Sequence, residues 1–253
     1  MKISVCMASY NGAKFINSQI SSILMQLGEK DELIISDDGS TDDTIKIIKS
    51  FNDDRIILLN HQNNNKKRKH VYPHYLVSAN FENALKNCNG DIIFLSDQDD
   101  IWAENKIEIM LPYFKDYNLV MSDCYVIDNE GAILADSFFA GKNVTKGTLK
   151  NIMRPIYQGC CIGFRKDVLD IALPFPHKLI LHDNWLGILS EHIGKNIFIN
   201  EKLIFYRRHF ENSSFIEGKS KNSIFFRVKY RIELLYLILK RLILFKIKKG
   251  FFN

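Results

Sequence analysis

Apolar residues follow two rhythms along this chain, and their alternation sets the expected architecture. Short apolar runs at Ile3 to Met7, Glu32 to Ser36, Ile56 to Leu59 and Ile92 to Leu95 read as strands, most of them buried on both faces. Between them the apolar positions shift to a 3.6-residue period. Ile16, Ile20, Ile23, Leu24 and Leu27 share one helical face, which Gly28 closes, and further helices are expected over 44–51 and 80–87. Strands alternating with helices predict a single α/β domain with a mostly parallel central sheet flanked by helices.

Farther along, Trp102 to Phe114 reads as a helix, Leu119 to Ser122 as a strand, and Tyr125 to Ile133 as a hairpin around Asp128-Asn129-Glu130-Gly131. Asn63 to His70 reads as a solvated loop. Residues 135–155 carry little periodicity and read as a substrate-facing loop region or a linker. Gln158 to Phe164 reads as a small-residue strand entering a short helix over 166–171, His182 opens an apolar helix, and Ile197 to Arg208 forms a final strand.

From Lys219 onward the character changes: Lys and Arg recur, and Glu233 is the only acid. On a helix, Lys229, Glu233, Lys240, Arg241 and Lys248 share one side, and Ile232, Leu235, Tyr236, Leu239, Leu242 and Ile243 the other. Such a helix lies in the interface of an anionic membrane, or it packs on the catalytic domain or on a second subunit, as in a homodimer. The expected division is a domain over 1–215, with halves at about 1–103 and about 104–215, and a basic amphipathic helical tail over 216–253.

The totals narrow the class. A length of 253 residues with 46% hydrophobic and 25% charged residues buries a core and excludes disordered and fibrous classes. The net charge of +5 is modest, with the excess in the tail, and no nucleic-acid partner is expected. Five cysteines without zinc or redox spacing point to a reducing compartment. The chain opens on a strand rather than a signal peptide, and no run reaches the ~18–20 apolar residues of a spanning helix. The expected location is the cytoplasm, with the tail on the inner face of the cytoplasmic membrane.

The chemistry concentrates where strands end. The strand Ile92 to Leu95 runs into Ser96-Asp97-Gln98-Asp99-Asp100-Ile101-Trp102, with three carboxylates in four positions. Like charges this close raise one another's pKa unless a cation joins them; helix capping accounts for one or two of the three at most. A hard divalent cation shared with phosphate oxygens uses the whole cluster. A second acidic turn, Asp37-Asp38-Gly39-Ser40, ends the neighbouring strand, and ligands of open α/β sheets bind at these carboxyl ends. The two turns suit a nucleoside diphosphate, with Asp99 holding the metal and Tyr10 either stacking on the base or packing as an ordinary loop aromatic. No Gly-x-Gly-x-x-Gly follows the first strand and no Walker A sequence is present, which disfavours a dinucleotide cofactor.

Five short motifs in order, Ser4 to Gly12, Asp37 to Ser40, Ser96 to Trp102, His182-Asp183-Asn184-Trp185 and Tyr206-Arg207-Arg208-His209, resemble the family 2 glycosyltransferases with the A-type nucleotide-sugar fold. The resemblance covers about the first 210 residues. It implies that Ala8, Tyr10 and Asp38 hold the nucleobase, that Asp97 faces ribose and sugar, and that Asp99 ligates Mn²⁺ or Mg²⁺. Asp183 matches the catalytic base and His209 a further metal ligand, although the family more often has Glu where His182 stands. The implied activity is inverting, metal-dependent transfer of one glucose-, galactose- or rhamnose-type sugar. The donor is a UDP- or dTDP-sugar, and the acceptor a lipid-linked oligosaccharide of O-antigen or capsule synthesis. A nucleotidyltransferase and a non-catalytic sugar-nucleotide binding module are the alternatives. The first usually carries a basic Gly-rich loop, absent from Ala8 to Gly12, and the second has no use for Asp183.

Overall fold

The computed structural model describes residues 1–61, 73–142, 144–177, 179, 181–208 and 224–250; the polar run Asn63 to His70 and His209 lie outside these residues. Strand β1 (Ile3–Ser9) is the axis of the sheet. It pairs in parallel with β2 (Glu32–Asp37) on one side and β4 (Ile92–Ser96) on the other, and β3 (Ile56–Asn60) extends the sheet beyond β2. Helices α1 (Ile16–Leu24), α2 (Thr44–Ser50) and α3 (Pro73–Leu85) make the crossovers. Because helices cover both faces, Val5, Cys6, Met7, Leu33, Ile34, Ile35, Ile93, Phe94 and Leu95 are all fully buried, which is why these strands read as unbroken apolar runs. Ile16, Ile20 and Ile23 supply the buried stripe of α1.

The parallel run ends at β4. Next to it lies β8 (Ile162–Arg165), antiparallel both to β4 and to β6 (Leu119–Ile127). Strand β9 (Asn196–Arg207) runs parallel to β6, β5 (Ile101–Trp102) pairs antiparallel with β9, and β7 (Ile133–Ala135) closes the expected hairpin on β6. The strand order is β3-β2-β1-β4-β8-β6-β9-β5. Helices α4 (Lys106–Met110), α5 (Thr148–Met153), α6 (Asp167–Ala172), α7 (His182–Ser190) and α8 (Ile224–Gly250) complete the described chain.

Three local expectations change. Ile101 and Trp102 do not open a helix; they pair with Phe205 and Ile204, and the helix waits until Lys106. The Trp102 ring is buried and its backbone N–H is held by Ser22 Oγ at 3.1 Å, so tertiary partners override the helical pattern. Helix α3 begins at Pro73, well before residue 80, and a proline is tolerated in a first turn because it has no N–H to satisfy. Residues 148–153, read as loop, form α5, and 159–161 make a single 3₁₀ turn ahead of β8.

The C-terminal helix uses two faces. Leu234 and Ile238 are buried against the domain. Arg241, expected on the polar side, is turned inward. Its guanidinium lies 5.4 Å from the Trp185 ring and donates to the carbonyls of Ile171, Leu173 and Pro174, closing the end of α6. A long stem over an aromatic face with a charged head on carbonyls is a stable way to cover apolar surface. Phe225, Val228, Ile232, Tyr236, Leu239, Ile243 and Ile247 form an exposed stripe on the outer side. Leu235 and Leu242, expected with that stripe, instead pack toward the core.

Gly90 brings the chain from α3 back to β4 within contact of β1: a Cβ there would lie 2.5 Å from Ser4 N and 2.8 Å from Ile3 C. The obstacle is backbone, which no rotamer change relieves. Gly90→Ala is therefore expected to cost about 1–3 kcal/mol, as overpacked cores do. Thermal unfolding should show a fall of about 2–4 °C for each kcal/mol lost.

Candidate active site

The carboxyl ends of β1, β2 and β4 run into three polar turns at one edge of the sheet, and short-range hydrogen bonds lock the turns together. Gln98 Oε1 accepts from Tyr10 N at 2.8 Å while Gln98 Nε2 donates to Tyr10 O at 3.0 Å, which ties the turn after β4 to that after β1. Gly12 makes room for this amide, since a Cβ there would fall 2.4 Å from Gln98 Oε1. Asn11 Oδ1 accepts from Thr41 N at 2.8 Å and joins the turn after β2 to the same frame.

The adjacent aspartates after β2 divide their work. Asp37 is spent on its own turn, accepting from Gly39 N and Ser40 N and from the hydroxyls of Ser9 and Ser40. Asp38 instead lines the cavity, 4% exposed, with His61 Nδ1 at 3.5 Å from its Oδ1. The cavity measures about 1310 Å³, and its lining includes Ala8, Tyr10, Asp38, Asp97, Asp99 and Asp183. Every expected site residue within the described chain thus meets in one place. Tyr10 is 46% exposed, so its ring is not a core-packing element.

The acidic turn after β4 is arranged differently from the expected Asp97/Asp99 pair. Asp97, Asp100 and Cys160 each place a ligand-type atom within 4.8 Å of the others, while Asp99 stands on the cavity lining. Asp100 is fully buried; its Oδ1 accepts from Arg207 N at 2.8 Å, and its Oδ2 has no partner among the described residues. Burial, then the charges of Asp99 and Asp183, push Asp97 up to about 7, and burial with the neighbouring Asp99 and Asp97 charges raises Asp100 as well. Lys106 lies fully buried behind the cluster, with Nζ donating to Cys160 O at 2.6 Å and sitting 4.2 Å from the Trp102 ring centre; burial lowers it to about 8. One buried ammonium does not balance three carboxylates. An orphaned buried carboxylate oxygen and mutually raised pKa values are what a site short of a cation shows. The oxygen donors suit Mg²⁺ or Mn²⁺, whereas the Cys160 thiol, held protonated by burial, does not. Neither Asp99 nor Asp100 caps a helix, since Asn105 holds the position before α4.

Asp183 sits in the first turn of α7, with Asn184 N donating to its Oδ1 at 2.7 Å. Burial lifts it to about 6, against backbone N–H donors of Asn184 and Gly159 that favour the charged form. Its neighbour His182 is stacked on Phe81 at 4.3 Å, and burial, then His74, depress it to about 3, so it is neutral. His182 Nε2 has no partner among the described residues.

Several residues of the site were given no role from the sequence. Gln98 lay inside the acidic run without a charge to mark it. Asn80, 3% exposed, donates to Ser9 O at 3.1 Å and leaves its Oδ1 without a partner among the described residues, on the cavity wall. Arg207 donates to the carbonyls of Asp99, Asp128 and Asn129, fixing the acidic turn from β9. Phe226, Arg227, Tyr230 and Arg231 of α8 also reach the cavity. Burial, then the Asp183 carboxylate, push the Tyr230 phenol above its usual range.

Residues 4–171 match the family described as Glycosyl transferase family 2. The chain belongs to this family. An Escherichia coli UDP-Glc:alpha-D-GlcNAc-diphosphoundecaprenol beta-1,3-glucosyltransferase, WfgD, is 33% identical over 196 residues, covering 75% of this chain and 70% of the relative. The S. aureus TarS fragment 1–349 in complex with UDP-GlcNAc shares the fold at a TM-score of 0.65 and 17% identity, covering 95% of this chain and 66% of that one. Glucosyl-3-phosphoglycerate synthase from Mycobacterium tuberculosis, crystallised with Mn²⁺ and UDP, superimposes at 0.55 with 18% identity, covering 95% of this chain and 79% of that one. The expected A-type fold and glycosyltransferase class are both borne out for this family 2 chain.

A cation that needs Asp97 ionised competes with its proton. Mn²⁺ affinity, followed by calorimetry between about pH 5.5 and 8, should therefore rise with pH and level off above the Asp97 pKa of about 7. A flat profile would remove Asp97 from the metal site.

Proposed function

We propose that this family 2 chain is an inverting, metal-dependent glycosyltransferase that moves one sugar from a UDP-sugar to a hydroxyl of a lipid-linked polysaccharide intermediate. The observation that carries the reading is the placement of Asp183 in one cavity with Asp38 and the acidic turn. The diphosphoundecaprenol acceptor and UDP-Glc donor in the name of the E. coli relative support lipid-linked substrates and a glucose-type donor. The UDP-GlcNAc complex of the S. aureus structure is in keeping with a uridine base.

The chain's own residues account for the chemistry. Asp38 accepts a hydrogen bond from a base N–H, Tyr10 stacks on the base at the cavity mouth, and Asp97 faces the sugar. Asp97, Asp99 and Asp100 would hold Mn²⁺ or Mg²⁺, which when bound offsets the charge gathering on the leaving diphosphate. Asp183 takes the proton of the acceptor hydroxyl as that oxygen bonds to the anomeric carbon and the carbon–diphosphate bond breaks. A single base and a single displacement invert the anomeric centre. With its pKa raised to about 6, Asp183 is mostly ionised at neutral pH yet basic enough to accept a proton.

Binding and chemistry separate at Asp183. Asp183→Asn is expected to lower kcat by about 10²- to 10⁴-fold, the usual worth of a general base, and to leave UDP affinity unchanged by calorimetry. In the wild type, kcat should climb with pH up to about 6 and then flatten, because the base works only when deprotonated. Parallel loss of UDP binding would instead make Asp183 part of the donor site.

We also propose that the outer stripe of α8, with Lys229, Lys240, Lys246, Lys248 and Lys249 exposed around it, rests on the inner face of the cytoplasmic membrane. No helix among the described residues is long and apolar enough to cross a membrane. Replacing Ile232 and Leu239 by Glu should reduce co-sedimentation with phosphatidylglycerol vesicles severalfold without lowering the melting temperature. Unchanged sedimentation would refute the tail's role.

A further inference from the structure

The first turns of α8 place cations where a soluble domain had no need of them. Arg227, Tyr230 and Arg231, spaced three and four positions apart, share one helical face, and all three line the catalytic cavity. Arg231 Nη2 donates to Met153 O at 2.9 Å, which fixes the side chain over the end of α5 and leaves its other N–H groups available. Arg227 Nε is buried and has no hydrogen-bond partner among the described residues. A buried guanidinium N–H left unmatched is costly, and an anion entering the cavity would satisfy it. On the same wall, His182, 8% exposed, presents Nε2, likewise without a partner among the described residues. Ile152, Pro155, Ile156 and Phe226 give this end of the cavity an apolar lining beside the cations.

The other cation on the lining, Lys14, belongs to the loop after β1 and lies 4.9 Å from the Phe15 ring centre, whereas the two arginines are carried together on α8. Tyr230, between them, is the residue that neighbours Asp183. One helical turn separates Tyr230 from Arg227, about 5–6 Å between Cβ atoms, which is the width of one sugar ring.

We infer that Arg227 and Arg231 form an anion subsite for the diphosphate of the acceptor, joining a lipid chain on the apolar side to a sugar whose hydroxyl reaches Asp183. The subsite deepens the transferase reading proposed above and names what the cavity reads on the acceptor: a lipid diphosphate one sugar ring from the reacting hydroxyl. Guanidinium forks pair with phosphate oxygens through two parallel hydrogen bonds, and a water-poor cavity strengthens them. The helix whose outer stripe faces a membrane would then present its inner face to the headgroup of the substrate held in that membrane.

The test titrates dodecyl diphosphate into the full chain saturated with UDP and Mn²⁺, so that the donor's own phosphate site is filled. Binding should persist under UDP, weaken about tenfold in Arg227→Gln and about a hundredfold in the double variant with Arg231→Gln, in line with the loss of one and then two charged hydrogen-bonding groups. UDP affinity and the binding of neutral dodecyl glucoside should not change. Absence of binding to the wild type, displacement by UDP, equal affinity in the variants, or an equal loss for the neutral glucoside each overturns the subsite. If the double variant melts early through loss of the Met153 contact, the single Arg227→Gln decides, because no hydrogen bond of Arg227 within the described residues is lost. Should the wild type bind dodecyl diphosphate but no UDP, the donor reading falls and the subsite stands.

Discussion

Three carboxylates crowded at the end of β4 are the constraint around which the rest of the molecule is arranged. Asp100 is fully buried, and the charges of Asp99 and Asp97 add to burial in raising its cost of being charged, as those of Asp99 and Asp183 do for Asp97. The surrounding chain only partly offsets that cost. Lys106 supplies one buried ammonium from behind, the Arg207 backbone N–H donates to Asp100, and the buried Arg207 side chain holds the turn through its carbonyls. A carboxylate cluster left short of positive charge is held ready for a cation and for the phosphates that accompany it.

The topology explains why this cluster and Asp183 belong to one site although 85 positions lie between Asp97 and Asp183. The sheet is parallel up to β4, which puts the turns after β1, β2 and β4 at one edge. It reverses at β8, so the 3₁₀ turn at 159–161 approaches the same edge, and there Gly159 donates its backbone N–H to Asp183. The cavity is lined by turns of the parallel half and by residues 155–159 and 181–183 beyond the reversal. Helix α8 closes one side of it. Its inner face is anchored by Leu234, Ile238 and the Arg241 contacts, which lets its first turns reach the cavity while its outer stripe stays exposed.

Much of the parallel half and of the site was legible in the chain itself. Strands buried on both faces must be apolar throughout, so β1, β2 and β4 announced themselves, and carboxylates at their ends marked the functional edge. Where an element is short or lies between two competing partners, the reading failed. Ile101 and Trp102 became a strand because β9 and Ser22 offered partners that no local pattern records. The tail shows the same limit: it is helical, as its period required, but both of its sides carry apolar residues, and the partners the domain offers to Leu234, Ile238 and Arg241 turned one side inward.

The sequence by itself determined the class of chemistry, because a set of aspartates at strand ends has few uses other than holding a cation and a nucleotide. The motif resemblance already picked out Asp38 and Asp99 from their neighbours; the tertiary structure shows how the fold sets such neighbours apart. Asp37 became a turn residue and Asp38 a cavity residue, Asp100 moved to the buried centre of the acidic group while Asp99 stayed on the lining, and neutral Gln98 proved to be the pin between two turns. Without that resemblance, adjacent residues of equal charge are indistinguishable in a sequence. They differ only in the backbone direction each inherits and in the hydrogen-bond donors that the rest of the fold brings to them.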